Sequence, residues 1–78
     1  MSPREQNEKR FKKWENLKDG GRLYRRTVAG QRGWEAVYCK QVDGKEQTVK
    51  FWQEIFDERG NLWETHEKYP VDKGHKQA

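Results

Sequence analysis

The chain has 78 residues, of which 31% are hydrophobic and 38% are charged, and its formal net charge is +4. This length predicts a single domain, close to the lower limit of what folds without a metal or disulfides. The single cysteine excludes an internal disulfide and a cysteine-based zinc site. No apolar run approaches the roughly 20 residues of a membrane-spanning helix. We therefore expect a cytoplasmic domain with no membrane association, no metal and no small-molecule cofactor.

The positive charge is concentrated in the first two thirds of the chain. Six basic and four acidic residues fall in 1–19, seven and three in 20–50, and four and six in 51–78. This asymmetry favours an anionic partner, either nucleic acid or an acidic protein surface. The alternative is that the surplus lysines and arginines serve solubility alone.

The N-terminal quarter predicts a charged tail followed by one helix. Residues 1–10 are almost devoid of apolar side chains, which is typical of a frayed or disordered segment. Phe11, Trp14 and Leu17 then recur every three residues, a spacing that predicts a helix with one narrow apolar stripe. The Asp19-Gly20-Gly21 sequence is expected to end that helix.

Glycines divide the rest of the chain into segments that predict strands, at residues 22–29, 34–42, 46–57 and 61–69. The predicted fold class is α+β: one N-terminal helix packed on a four-stranded antiparallel β meander, spanning residues 11–70. Residues 71–78 are polar and predict a flexible tail.

Two turn sequences set the predicted pairing of the last three strands. Asp43-Gly44 predicts a two-residue hairpin with a type I′ turn. Glu58-Arg59-Gly60 predicts a three-residue hairpin, and its register places Trp52 opposite His66. The resulting sheet carries large apolar side chains on both faces, and the predicted helix covers one of them.

The uncovered face and the basic first hairpin together form the predicted binding surface. Its candidate residues combine rings with cations, and they are Tyr24, Arg26, Arg32, Lys50, Trp52, Phe56, His66 and Lys68. Within this set Lys50 and Lys68 are predicted to face each other across two strands. Like charges in that position cost stability unless an anion lies between them.

Three interpretations of this surface stay open at the level of sequence. The termini fold back over it, two copies of the chain stack through it, or it binds single-stranded nucleic acid. In the last case Tyr24 and Trp52 stack on bases while Arg26, Lys50 and Lys68 neutralise phosphates. The leading hypothesis is a non-enzymatic binding domain for an anionic macromolecule. The alternative is a protein–protein module, either a homodimer or a small accessory or antitoxin-like partner.

Enzymatic chemistry has one candidate residue. His66, with a neighbouring glutamate and an arginine, would suffice for metal-independent RNA cleavage, so a small ribonuclease is the second alternative. The competing interpretation is a half-exposed histidine that packs on Trp52. Cys39 is expected to be half-buried and inert. The basic run from Lys9 to Lys13 fits a phosphate contact and the solvated side of a helix equally well.

Overall fold

The computed structural model describes residues 1–71 and 74–77, and for residues 75–77 it describes the backbone alone. In this part of the chain one short helix precedes an antiparallel sheet of six strands in chain order. The elements are α1 (Pro3–Arg10), β1 (Lys13–Asn16), β2 (Arg22–Ala29), β3 (Glu35–Val42), β4 (Thr48–Phe56), β5 (Leu62–Tyr69) and β6 (Gly74–Gln77). The predicted α+β class is confirmed, and β1 and β6 are strands beyond the predicted four.

The helix lies earlier in the chain than predicted. The hydroxyl of Ser2 accepts a hydrogen bond from the backbone N–H of Glu5, and the Glu5 carboxylate accepts one from the N–H of Ser2. This reciprocal capping box, with Pro3 in the first turn, satisfies backbone groups that would otherwise lack partners. Most of the segment that was expected to be frayed therefore forms the helix, Pro3–Arg10, because capping replaces the missing apolar stripe.

The three apolar residues that predicted the helix lie beyond it. Phe11 is extended and ends α1. Trp14 lies in β1, directly opposite Tyr24 of β2, with their ring centroids 6.0 Å apart. Three apolar residues at this spacing are too few to distinguish a helix from a strand, and pairing with β2 decides in favour of the strand.

Three hairpins of the sheet share one turn geometry. In each, the first residue of a five-residue segment donates its N–H to the last carbonyl, and the fourth donates its N–H to the first carbonyl. The segments are 17–21, 43–47 and 57–61. The fourth residue is left-handed in all three: Gly20 with φ 87°, Glu46 with φ 66° and Gly60 with φ 81°.

The predicted two-residue turn at Asp43-Gly44 is therefore wrong. The carboxylate of Asp43 accepts hydrogen bonds from the N–H groups of Lys45 and Gln47, which fixes a three-residue turn. Glu46, and not Gly44, adopts the left-handed conformation. The predicted three-residue turn ending at Gly60 has the expected left-handed glycine.

Register shifts in β4 and β5 overturn part of the predicted face assignment. The pairing of these strands shifts between Phe51 and Trp52 and again between Ile55 and Phe56. As a result His66 lies opposite Gln53, not Trp52. A slip of one residue moves a side chain to the other face of a sheet, so His66 leaves the face that was predicted for it.

The two faces of the sheet are distinguished by the helix. We call the face that α1 packs on the helix face; by register it carries Tyr24, Tyr38, Phe51 and Gln53. The opposite face carries, among others, Cys39, the Cα partner of Trp52. The apolar core lies on the helix face and consists of Phe11, Tyr24 and Val42, with Tyr38 and Phe51 packed against it. No helix in the described part of the chain is long and apolar enough to span a membrane.

Polar groups hold α1 on the sheet. Asn7 is only 4% exposed, and its side-chain amide donates to the carboxylate of Glu46 at 3.0 Å and accepts from Lys40 Nζ at 2.9 Å. Glu46 also accepts from the Tyr24 hydroxyl and from Arg4 Nε at 3.2 Å. A helix without an apolar stripe is thus docked by hydrogen bonds that satisfy its buried polar groups.

A second contact ties α1 to the start of β2. Arg22 is buried, and its guanidinium donates to the carboxylate of Glu8 at 2.7 Å and to Asn16 Oδ1 at 3.1 Å. The hydrogen bond with Glu8 is the main reason that the pKa of Arg22 is raised further. The same guanidinium lies 5.2 Å from the centroid of the Trp14 ring, so it also links β1 to the helix.

Of the predicted flexible tail, residues 74–77 form β6. Its pairing with β5 places His75 opposite His66. The other tail positions after Val71, namely 72, 73 and 78, lie outside the described residues.

Candidate nucleic-acid interface

A groove lined by basic side chains runs beside the free edge of β2. We call it the basic groove; its lining consists of Lys9, Arg10, Lys12, Lys13, Arg25, Arg26 and Thr27. The end of α1, the link into β1 and the middle of β2 converge here, because β1 pairs with β2 only as far as Lys13 opposite Arg25. Six cations from three segments are therefore brought to one place.

Little negative charge compensates this groove. Arg25 pairs with Glu15 at 3.2 Å, but both side chains are about half exposed, so the attraction is weak. Within the described residues, the five other basic side chains of the groove form no ion pair. Clustered like charges that lack counterions create a local field that attracts an anion.

A neighbouring lysine is affected first by burial and second by the charge of the groove. Burial, and next the charge of Arg10, lower the pKa of Lys40, while the carboxylate of Glu46 acts in the other direction. The net lowering means that the nearby carboxylate does not cancel burial and the cation of the groove.

Three aromatic rings, two half-buried and one exposed, border the basic groove on the helix face. Tyr38 and Phe51 are stacked, with centroids 6.5 Å apart and planes inclined by 24°. Tyr69 lies opposite Phe51 and is 47% exposed. We call these three residues the aromatic strip. Arg10 and Arg26 line a small cavity together with Tyr38 and Phe51, so the strip and the groove are continuous.

A cation lies over the aromatic strip. Lys68 Nζ is 5.2 Å from the ring centroid of Tyr38 and 5.8 Å from that of Phe51. This arrangement is a cation–π contact that also keeps a positive charge above the rings. An anion bound along the strip would therefore meet Lys68 on one side and the basic groove on the other.

One row of residues crosses the helix face from the groove to the far edge. The Cα partners in this row are Arg26, Tyr38, Gln53, His66 and His75, on β2 to β6 in order. The side-chain amide of Gln53 donates to the Tyr38 hydroxyl at 3.3 Å. We call Arg26, Tyr38, Gln53 and His66 the polar row, since every member has a hydrogen-bonding side chain.

The structure divides the predicted binding surface between two faces. Tyr24 is fully buried in the core, so it is unavailable for stacking on a base. Trp52 and Phe56 lie on the opposite face, where Lys50 Nζ is 5.0 Å from the Trp52 ring and 3.4 Å from the carboxylate of Glu67. Tyr24 and Trp52 therefore cannot stack on neighbouring bases as predicted, because the sheet separates the two rings and Tyr24 is buried.

The remaining predicted residues are also rearranged. Arg26, His66 and Lys68 share the helix face, whereas Arg32 lies in the turn between β2 and β3 in a left-handed conformation with φ 57°. Lys50 and Lys68 do not face each other, since Lys50 pairs with Glu67 on the opposite face. The cause is again the pair of register shifts in β4 and β5.

Several residues of the interface were not among the predicted ones. Tyr38 and Phe51 lie in predicted strands but were not predicted to bind, and they are half-buried at the edge of the core. The basic run from Lys9 to Lys13 was noted but did not discriminate between functions. The run indicates an anion-binding site only in the folded protein, where the pairing of β1 with β2 places it beside Arg25 and Arg26.

The free thiol does not contribute to this interface. Cys39 is 1% exposed on the opposite face. Burial, and next the charge of Glu54, raise its pKa to about 11, so the reactive thiolate is scarce at neutral pH.

No group of three or more potential metal ligands occurs in the described part of the chain. Comparisons with protein-family models, curated proteins and solved structures returned no match for this chain.

Proposed function

We propose that this protein binds single-stranded nucleic acid across its helix face. Phosphates lie in the basic groove, and bases stack on the aromatic strip. The observation that supports this most is the convergence of six basic side chains, five of them without an ion pair in the described residues, beside the partly exposed rings of the aromatic strip.

The chemistry of the surface favours a single strand over a duplex. Bases reach an aromatic ring on a sheet only when they are unstacked, as in single strands and loops. Each stacked base contributes about 1–3 kcal/mol without strong sequence preference. Tyr38, Phe51 and Tyr69 therefore offer room for short, sequence-tolerant contacts, while the groove follows the backbone.

Fluorescence anisotropy with labelled 12-nucleotide strands tests this proposal. We expect the protein to bind RNA and DNA single strands more tightly than a duplex of equal length. Affinity should fall steeply with salt, because each phosphate contact releases counterions. The triple variant Lys9→Gln, Lys12→Gln and Lys13→Gln should lower the log–log salt slope by about 2, since each contact with a single strand contributes about 0.7.

A matched control removes the same charge elsewhere. Lys18, Lys45 and Arg59 are exposed and lie outside the groove, so changing all three to Gln should leave the salt slope unchanged. An equal loss in both triple variants would mean that net charge alone attracts the strand. A flat salt slope for the unmodified protein would reject nucleic-acid binding.

A homodimer formed through the opposite face is the second candidate. Three apolar residues make up the buried core cluster, while Val37, Trp52 and Phe56 remain only half-buried on or beside the opposite face. Stacking two copies would bury these side chains and compensate for the small core. Sedimentation equilibrium over a hundredfold concentration range tests this. A protein that stays monomeric throughout rejects the dimer, but this result does not bear on nucleic-acid binding at the helix face.

A further inference from the structure

We propose that the helix face not only binds RNA but also cleaves it, with Glu64 and His66 as the acid–base pair. This inference rests on the proposed function, because the RNA has to lie along the aromatic strip before it can react. The juxtaposition that carries it is an imidazole and a carboxylate on one strand, at the end of a row of polar side chains that begins in the basic groove.

Glu64 and His66 project from the same face of β5. Their Cα partners on β4 are Ile55 and Gln53, with no register shift between the two pairs. Residues two apart in a regular strand lie about 6–7 Å from each other on one side of the sheet. Both are half-buried, and by register they lie on the face where we propose that the strand binds. This spacing lets two groups act on opposite sides of one phosphorus atom.

Besides an acid and a base, the reaction needs groups that stabilise negative charge on the phosphate, and neighbours of His66 provide them. Gln53 lies beside His66 and donates to the Tyr38 hydroxyl, so amide and phenol are held together next to the imidazole. Lys68, two residues after His66, places its ammonium group over the Tyr38 ring. A fixed cation and fixed hydrogen-bond donors beside a reacting phosphate stabilise the charge that develops on its oxygens.

The reaction that fits these groups is intramolecular transesterification. The carboxylate of Glu64 removes the proton of a ribose 2′-hydroxyl, and the 2′-oxygen forms a bond to the adjacent phosphorus. The bond between phosphorus and the 5′-oxygen of the next nucleotide breaks, and protonated His66 gives that oxygen its proton. The products are a 2′,3′-cyclic phosphate and a free 5′-hydroxyl. The proton then passes from Glu64 back to His66 through solvent, so no further reactant is consumed.

The reaction requires the 2′-hydroxyl, which separates cleavage from binding. A DNA strand lacks this group and is bound without reacting. A DNA strand with one ribonucleotide should be cut at one bond, immediately 3′ of that ribonucleotide. The two strands share the phosphates and bases that the groove and strip contact, so they test the chemical step alone.

The experiment incubates the full-length protein with 20-nucleotide strands of RNA, of DNA and of DNA with one ribonucleotide, all in the presence of EDTA. Mass spectrometry identifies the ends of each product. We expect cleavage of the two strands that contain ribose, with a cyclic phosphate as the first product. His66→Ala and Glu64→Gln should each lower the rate at least 100-fold, the usual range for loss of a general acid or base.

The control variant is Glu67→Gln, which removes a carboxylate from the adjacent position of the same strand. Glu67 lies opposite Trp52 and pairs with Lys50 on the opposite face, so cleavage should continue at the normal rate. The unmodified protein alone tests both proposals, so the result does not depend on whether the variants fold. If it binds RNA in the anisotropy assay but leaves all strands intact, the cleavage proposal is wrong and the binding proposal stands. If it binds neither RNA nor DNA, both proposals fail.

Discussion

The hydroxyl of Tyr24, in the first half of β2, donates a hydrogen bond to the carboxylate of Glu46 in the turn between β3 and β4. Glu46 in turn accepts hydrogen bonds from Asn7 and Arg4 of α1. One carboxylate therefore joins the core, a turn and the helix. Glu46 occupies the left-handed position that glycine fills in the other two turns of this geometry, so its backbone carries a cost that a glycine there would avoid.

Replacement of Glu46 tests how much the fold depends on this carboxylate. Glu46→Ala should lower the free energy of unfolding by about 2–4 kcal/mol, since the buried Tyr24 hydroxyl and the Asn7 amide lose their acceptor. Glu46→Gly loses the same contacts but suits the left-handed backbone, so it should be about 1 kcal/mol more stable than the alanine variant. Urea denaturation measures both differences.

The neighbouring Lys45 provides the control for these variants. Its side chain is exposed in the same turn, so Lys45→Ala should change stability by less than about 0.5 kcal/mol. Equal stabilities of the alanine and glycine variants at position 46 would contradict a strained backbone there. A neutral Glu46→Ala would contradict the docking role of the carboxylate.

Stability should fall in acid because of the same residue. Burial on its own would raise the pKa of Glu46, but hydrogen bonds from Tyr24, Asn7 and Arg4 outweigh it and leave that pKa lowered in the folded protein. A lowered folded pKa stabilises the fold fully above the unfolded-state pKa, and this contribution is lost as the pH falls through the folded value. Urea midpoints at pH 7, 5 and 3 should therefore drop mainly below about pH 5.

The variant Glu46→Gln isolates this contribution, since an amide at position 46 does not titrate. Its stability should be lower at pH 7 and should change less between pH 5 and pH 3 than that of the unmodified protein. Some acid dependence will remain, because hydrogen bonds from the backbone and hydroxyl of Ser2 also lower the pKa of Glu5. Parallel pH curves for the two proteins would show that Glu46 is not the responsible group.

Two glycines should respond in opposite ways to alanine. A Cβ at Gly21 would lie 2.3 Å from the carbonyl oxygen of Val42, so Gly21→Ala forces β2 and β3 apart and should cost about 2–3 kcal/mol. A Cβ at Gly44 would approach nothing closer than 3.7 Å, and Gly44 is not left-handed. Gly44→Ala should be neutral or stabilising by up to about 1 kcal/mol. Thermal melts compare the two, and a strongly destabilised Gly44→Ala would instead support a type I′ turn at Asp43-Gly44.

The strands were largely predictable because their signals are local. Turn-forming glycines and aspartates bound runs of β-branched and aromatic residues, and β2 falls at residues 22–29 as predicted. The helix was misplaced because its stabilising features, the capping box and the polar contacts of Asn7, carry no apolar periodicity. Patterns of apolar residues cannot detect a helix that is held by hydrogen bonds.

The sequence predicted that the candidate site combines aromatic rings with basic side chains, but it did not predict which residues lie together. The sequence alone determined that a small, basic, aromatic-rich chain would form an antiparallel sheet whose rings exceed what one helix can cover, because composition and turn chemistry depend on near neighbours. Only the tertiary structure decided which rings and cations share a face. Register shifts in β4 and β5 separated His66 from Trp52 and placed it in line with Tyr38 and Arg26. Each such shift changes which side chains share a face until the next shift, and it arises from pairing between strands that no local pattern records.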